Sequence, residues 1–227
     1  MLAAIRQDIR AAKERDPARP STLQVVVAYP GVHAIWGHRI SHWLWNRGAK
    51  VSARAFGELT RILTGVEIHP GAILGAGLFI DHATGVVIGE TAEIGDDVTI
   101  YHGVTLGGTS TDPGKRHPTI GDRVIIGAGA KILGPIKIGD DSRIGANSVV
   151  VKEVPSSSVV VGVPGQIISR AKPGTTDDSL PDLVGVSLQQ LLSRVARLEA
   201  QGDVSQQNGR VIRQPEAGVW HGEDFSI

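Results

Sequence analysis

Residues 120–150 read IGDRVIIGAGAKILGPIKIGDDSRIGANSVV, and within them an aliphatic side chain returns at every sixth position: Ile120, Ile126, Ile132, Ile138, Ile144 and Val150. The spacing extends backwards through Leu106, Ile100, Ile94 and Ile88, then through Ile80, Leu74 and Ile68 after a two-residue slip at Val86 and Val87. Glycine often follows the aliphatic, as at Gly75, Gly95, Gly121, Gly127, Gly139 and Gly145. Four positions on, small or β-branched residues dominate, among them Ala72, Thr84, Ala92, Val98, Ala130, Ser142 and Ser148. A period of six fits neither a 3.6-residue helix nor a simple alternating strand. It fits a coil of three short flat faces, about eighteen residues per coil, in which one aliphatic per face stacks on its copies above and below. Glycine suits the corners because it tolerates positive φ. The expected fold is therefore a parallel β-helix over residues 64–170, capped by a helical N-terminal part.

Stacked coils need covered ends. Over residues 1–63, Ile5, Ile9 and Ala12 share one helical face until Asp16-Pro17 stops the segment. Pro30 opens a second helix carrying Val32, Trp36, Ile40 and Trp43 that ends near Gly48, and a third runs from about Lys50 to Leu63. Residues 171–227 are expected to hold a linker (Lys172 to Pro181), a short amphipathic helix (Ser187 to Ala200, with Leu188, Leu191, Val195 and Leu198) and a polar, flexible tail.

The bulk properties narrow the function. Lysine plus arginine balances aspartate plus glutamate at 23 each, so no general field recruits nucleic acid or an anionic membrane. No apolar run is long enough to span a bilayer, and the charged N-terminus is unlike a signal peptide, so a cytoplasmic location is expected. The absence of cysteine excludes disulfides and thiolate metal sites.

Where a regular coil is interrupted, the loop carries chemistry. The largest excursion spans residues 108–118 and delivers Arg116 beside His117. Asp81 and His82 follow the inward Ile80, and Glu67 precedes Ile68; a little under one coil separates Glu67 from His82, so the two are expected to be neighbours on adjacent coils. A carboxylate beside an imidazole fixes its tautomer and stabilises its protonated form, which suits a general base. His82, His102 and His117 also raise the question of a zinc site like that of the γ-class carbonic anhydrases, but the close histidine pair of that family is missing. No metal and no permanently bound cofactor are expected.

The segments IHPGAILGAGLFIDHATGVVIGETAEIGDDVTIYHGVTLGGT, KRHPTIGDRVIIGAGAKILGPIKIGDDSRIGANSVV and VVGVPG, with RDPA and HRISHWLWNRG upstream, closely resemble the serine acetyltransferases over roughly residues 5 to 170. The resemblance implies that the coil is a left-handed parallel β-helix. It further implies transfer of an acetyl group from acetyl-CoA, as co-substrate, to the hydroxyl of L-serine, the first step of cysteine biosynthesis, with feedback inhibition by L-cysteine. It implies His82 as general base with Glu67 where the family usually has aspartate, and His117 as a second active-site histidine. Asp16 and Asp81 would bind the substrate ammonium, and Arg116 the carboxylate, for which a planar guanidinium fork is suited. Gly108, Thr109, Ala128 and Ala146 would line the coenzyme A groove between neighbouring solenoids of a homotrimer. A trimer is the minimum expectation; longer members join two trimers into a hexamer through additional N-terminal helices, much of which is absent here. The C-terminal Ile227 would enter O-acetylserine sulfhydrylase. Competing readings are a hexapeptide acetyltransferase for a sugar or antibiotic hydroxyl, which has no need of the Asp16, Asp81 and Arg116 set, and a non-enzymatic scaffold that binds the sulfhydrylase through its tail.

Overall fold

The computed structural model describes residues 2–170, 191–195 and 197. Residues 1–180 and 181–227 form two separate units. In the second, the described residues are helical and lie inside the segment expected to be a helix. The linker from Lys172 to Pro181 and the tail ending at Ile227 lie outside the described residues.

Four helices open the chain: α1 (Leu2–Arg15), α2 (Thr22–Ala28), α3 (Pro30–Asn46) and α4 (Lys50–Thr64). The short α2 has no counterpart in the sequence reading. Its signal was the capping box, in which Ser21 accepts from the Gln24 N–H and the Gln24 side chain accepts from the Ser21 N–H. Pro30 forces Tyr29 into extended backbone, which separates α2 from α3. Gly65, in the left-handed conformation, ends α4.

The solenoid follows as fifteen short strands. The first coil is β1 (Glu67–Ile68), β2 (Ile73–Leu74) and β3 (Phe79–Ile80); the second is β4 (Val87–Ile88), β5 (Glu93–Ile94) and β6 (Thr99–Ile100). The third is β7 (Thr105–Gly107), β8 (Thr119–Ile120) and β9 (Ile125–Ile126); the fourth is β10 (Lys131–Leu133), β11 (Lys137–Ile138) and β12 (Arg143–Ile144). The chain then runs through β13 (Val149–Val150) and closes with an antiparallel pair, β14 (Ser158–Val161) and β15 (Gln166–Arg170), where the hexads fade. Strands stack in parallel into three faces: β1-β4-β7-β10-β13, β2-β5-β8-β11, and β3-β6-β9-β12-β14 with β15 at its edge.

Every sixth-position aliphatic of the sequence pattern is buried except Leu74, which is partly buried against the same core. The second inward set (Ala72, Ala92, Val98, Ala130, Ser142, Ser148) is buried as well. Thr84 is exposed instead, because the two-residue slip turns it outward and puts Ala83 and Val86 inside. An aspartate ladder runs down the corner after the second face. Asp96 Oδ1 accepts from the Ala76 N–H at 2.7 Å, Asp122 Oδ1 from the Asp96 N–H at 2.8 Å, and Asp140 Oδ1 from the Asp122 N–H at 3.0 Å.

The helices are fastened to this prism. Ala34 and Ile35 enter the solenoid core. Gly31 lies so tightly on β3 that a Cβ there would be 2.1 Å from the Ile80 carbonyl oxygen. The Arg15 guanidinium donates to the Gly77 and Val98 carbonyls and to Asp97. Asp8, fully buried, is gripped through both oxygens by Arg39.

Candidate active site

Register shows where the coil is interrupted. On the first face the partner steps run from 67 to 87, twenty residues, from 87 to 105, eighteen, from 105 to 131, twenty-six, and from 131 to 149, eighteen. Against the regular eighteen, two extra residues fall between β3 and β4, and eight fall between β7 and β8. These insertions carry Asp81 and His82 in the first and Gly108, Thr109, Arg116 and His117 in the second, and they lie at opposite edges of the same five-stranded face.

The first edge holds Asp81 and His82. His82 and Ala83 are consecutive non-glycine residues with φ of 56° and 55°, a strained corner of the kind that concentrates at functional sites. The His82 side chain is 73% exposed, and its Nε2 lies 3.7 Å from Asp81 Oδ2. Its ring meets His102, on the next coil, edge-on at 5.9 Å between centroids. Asp16, just beyond α1, closes this edge from the helical side. Its Oδ2 accepts from the Tyr29 hydroxyl at 2.5 Å and its Oδ1 from the Ala18 N–H at 2.7 Å. Burial first, then the hydrogen bond to Asp16, pushes the Tyr29 phenol up to about 12; the Asp81 charge acts in the same direction. Ala128 and Ala146 lie further down this same edge, in the turns before β10 and β13.

The second edge holds Arg116 and His117. The Arg116 guanidinium pairs with Glu90, which holds that carboxyl below its usual range. His117 is buried and packs its ring on Gly89, where a Cβ would lie 2.0 Å from Cδ2. Thr91 binds the pair from beneath through four short contacts. Burial, then the adjacent Arg116 charge, lowers the His117 imidazole below its ordinary value. Burial, then the charge of Arg54, lowers His69 in the same way, and Glu90, Arg116 and His117 act on His69 as well. Gly108 belongs here too, since a Cβ on it would come within 3.4 Å of His117 Nε2. Thr109 approaches Gly134. A groove of about 790 Å³ adjoins this edge between α4 and β1, lined by Trp45, Lys50, Arg54, Glu58, Glu67 and His69.

The chain therefore places the expected residues in two separate clusters. Asp16, Asp81 and His82 meet at one edge; Arg116, His117 and Gly108 meet at the other. Glu67 does not join His82. Its strand pairs Glu67 with Val87, past the corner that carries His82, and its side chain is exposed in the α4 groove. The extra two residues swing His82 out of the line that an eighteen-residue coil would have given it, and Asp81 is the carboxylate beside it in the chain. The reading from residues also missed Tyr29, Glu90 and Thr91. Their role depends on contacts 13 to 26 residues away in sequence, for which no local motif exists. Among the described residues no group of three or more His, Cys, Asp or Glu could hold a metal ion. His82 and His102 are neighbours, while His117 is on the other edge. No described helix is long and apolar enough to cross a membrane.

Comparison with known proteins agrees with this architecture. Residues 117–152 match the family described as Bacterial transferase hexapeptide (six repeats). The chain is 72% identical over 230 residues to a serine acetyltransferase of Mycobacterium tuberculosis, covering 100% of both chains. It is 56% identical over 186 residues to one of Staphylococcus aureus, covering 80% of this chain and 87% of the relative. Among solved structures, the Neisseria gonorrhoeae serine acetyltransferase in complex with serine superposes with a TM-score of 0.72 at 48% identity, over 74% of this chain and 69% of that one. The Brucella abortus serine acetyltransferase in complex with coenzyme A gives 0.74 at 48%, over 75% and 68%. A serine acetyltransferase complex with cysteine gives 0.74 at 45%, over 75% and 66%. These matches make the coil a left-handed parallel β-helix, as the resemblance of its sequence implied. With identity at this level over its whole length, the chain belongs to the serine acetyltransferase family.

Proposed function

We propose that this chain transfers the acetyl group of acetyl-CoA to the hydroxyl of L-serine at a site shared between copies of itself. The observation that carries this reading is the split site. One edge of a single face presents acidic groups and an exposed imidazole; the other presents a guanidinium and a buried imidazole. A zwitterionic amino acid needs anions for its ammonium and a fork-shaped cation for its carboxylate. A three-fold arrangement that sets the first edge of one copy against the second edge of the next supplies both. The same arrangement brings Ala128 and Ala146 of one copy towards Gly108 and Thr109 of another, leaving a groove for the pantetheine arm. It also carries Glu67 towards the His82 edge of a neighbour, where it can orient that ring.

In this site Asp16 and Asp81 hold the ammonium and Arg116 the carboxylate, while His117 contacts the bound serine. His82 takes the hydroxyl proton as the oxygen attacks the thioester carbonyl, forming the ester C–O bond. The C–S bond then breaks, and the imidazolium returns its proton to the departing thiolate. The Asp81 carboxylate stabilises the imidazolium meanwhile. L-cysteine offers the same charged groups as serine on a nearly isosteric frame, so it competes for the same contacts and inhibits. Solved relatives in complex with serine, coenzyme A and cysteine support these ligands. The same reading takes the protein as cytoplasmic and the Ile227 terminus as the segment that docks into O-acetylserine sulfhydrylase.

The test follows loss of acetyl-CoA thioester absorbance with L-serine. Wild type turns over, and His82→Ala loses roughly 10²- to 10⁴-fold in rate, as expected for a general base. Co-refolding His82→Ala with His117→Ala restores part of the activity if the site is shared, because mixed assemblies contain intact pairs of edges. No recovery on mixing two separately inactive variants overturns the shared site. Turnover with a sugar hydroxyl but not with serine overturns the substrate.

A further inference from the structure

We infer that Thr91 sets the tautomer of His117, so that the ring presents its Nε2–H to the substrate as a hydrogen-bond donor. The inference rests on the reading above for the contact with serine, while the tautomer follows from hydrogen-bond arithmetic alone. Thr91 Oγ1 lies 3.0 Å from the Arg116 backbone nitrogen and 3.1 Å from that of His117. A backbone N–H only donates, so the threonine oxygen accepts from both. Its own proton is left to go to His117 Nδ1, 2.9 Å away. The Thr91 backbone N–H also donates to Nδ1, at 3.2 Å. With two donors aimed at it, Nδ1 has no place for a hydrogen of its own, and the ring proton resides on Nε2.

The surroundings agree. The charged groups facing this ring are Arg116, Lys115 and, across the cluster, Glu90 and His69. Burial, the largest effect, opposes a second proton, as do Arg116 and Lys115, while Glu90 favours one. The Nε2 edge faces Gly89 and Gly108, two residues without side chains to block a ligand oxygen. His117 is thereby a donor and not a base, which leaves proton abstraction to His82 alone. Thr91 is a positioning residue: it also ties the excursion down, since its carbonyl accepts from the Lys115 ammonium at 2.8 Å.

The experiment is nitrogen-15 NMR of the full chain labelled at histidine, with His117 assigned by its loss in His117→Asn. At neutral pH the wild type shows an unprotonated Nδ1 and a protonated Nε2. Thr91→Val gives a mixture of tautomers and lowers kcat/KM for serine about tenfold, with the KM for acetyl-CoA unchanged; Thr91→Ser restores both. A wild-type ring protonated at Nδ1 overturns the inference whatever the variants do, and an unchanged tautomer in Thr91→Val overturns the part given to the hydroxyl, leaving the selection to the Thr91 backbone N–H. Should His117→Asn leave serine kinetics intact, the substrate contact of the reading above fails while the tautomer assignment is still decided by the spectrum.

Discussion

Gly89 and the His117 imidazole share one volume: a Cβ added to Gly89 would sit 2.0 Å from Cδ2 and 2.1 Å from Nε2 of that ring. The glycine that the repeat places after its aliphatic is here a seat for the His117 ring, and its φ is not in the left-handed region.

Gly89→Ala should therefore expel the ring while sparing the solenoid. A displacement of about 1 Å in a positioning group costs roughly 10²-fold in rate. We expect kcat/KM for serine to fall by that order, with the thermal transition kept near wild type. Full activity in Gly89→Ala, read in the thioester assay, would show that the His117 position is not required.

Tyr29 holds Asp16 by a hydrogen bond of 2.5 Å, and hydrogen bonds to charged groups are worth about 1.5–3 kcal/mol. Tyr29→Phe removes only the hydroxyl. The expected outcome is a serine KM raised about tenfold, at about 1.4 kcal/mol per decade, with the acetyl-CoA KM unaltered. Steady-state kinetics in both substrates checks it, and an unchanged serine KM removes Asp16 positioning from the account.

The aspartate ladder predicts a stability effect remote from both edges. Asp122→Ala leaves the Asp96 backbone N–H without its carboxylate partner, and Asp122 is one rung of three. Urea denaturation should show a loss of about 1 kcal/mol, the usual worth of a partly solvated hydrogen bond. Serine kinetics should be unaffected.

His38 predicts a pH dependence. Its ring is buried in α3 against His42, at 5.4 Å between centroids, and neither ring nitrogen has a hydrogen-bond partner. The carbonyls of Ala72 and His69 come near it without reaching hydrogen-bond geometry. Burial, then the His42 and Arg39 charges, lowers its pKa from 6.5 to about 3. Because the folded value is the lower one, the unfolded chain binds the proton first as the pH falls. The stability associated with a neutral His38 is thus complete above pH 6.5 and is lost on acidification towards pH 3, by up to about 1.4 kcal/mol per pH unit. His38→Phe should flatten the urea stability profile between pH 6.5 and 4; a profile as steep as wild type would assign the acid sensitivity elsewhere.

The sequence by itself determined the coil, because a six-residue recurrence of Ile68, Ile88, Ile126 and their equivalents permits little besides three stacked faces, and periodicity is a local property of the chain. It also put candidate site residues at the two interruptions of that period, and it placed α3 and α4 through Pro30 and Gly48. What only the tertiary structure decided is which residues meet. Two extra residues at one corner and eight at another set Asp81 and His82 on one edge of a face and Arg116 and His117 on the opposite edge. An eighteen-residue coil would have put Glu67 against His82, but the first coil has twenty, and the offset accumulates in the corner rather than in the strands. Tyr29, Glu90 and Thr91 were invisible for the same reason. Each acts through a side chain one coil or one helix away, and the stacking that brings them together exists only after the hydrophobic rows have closed on one another.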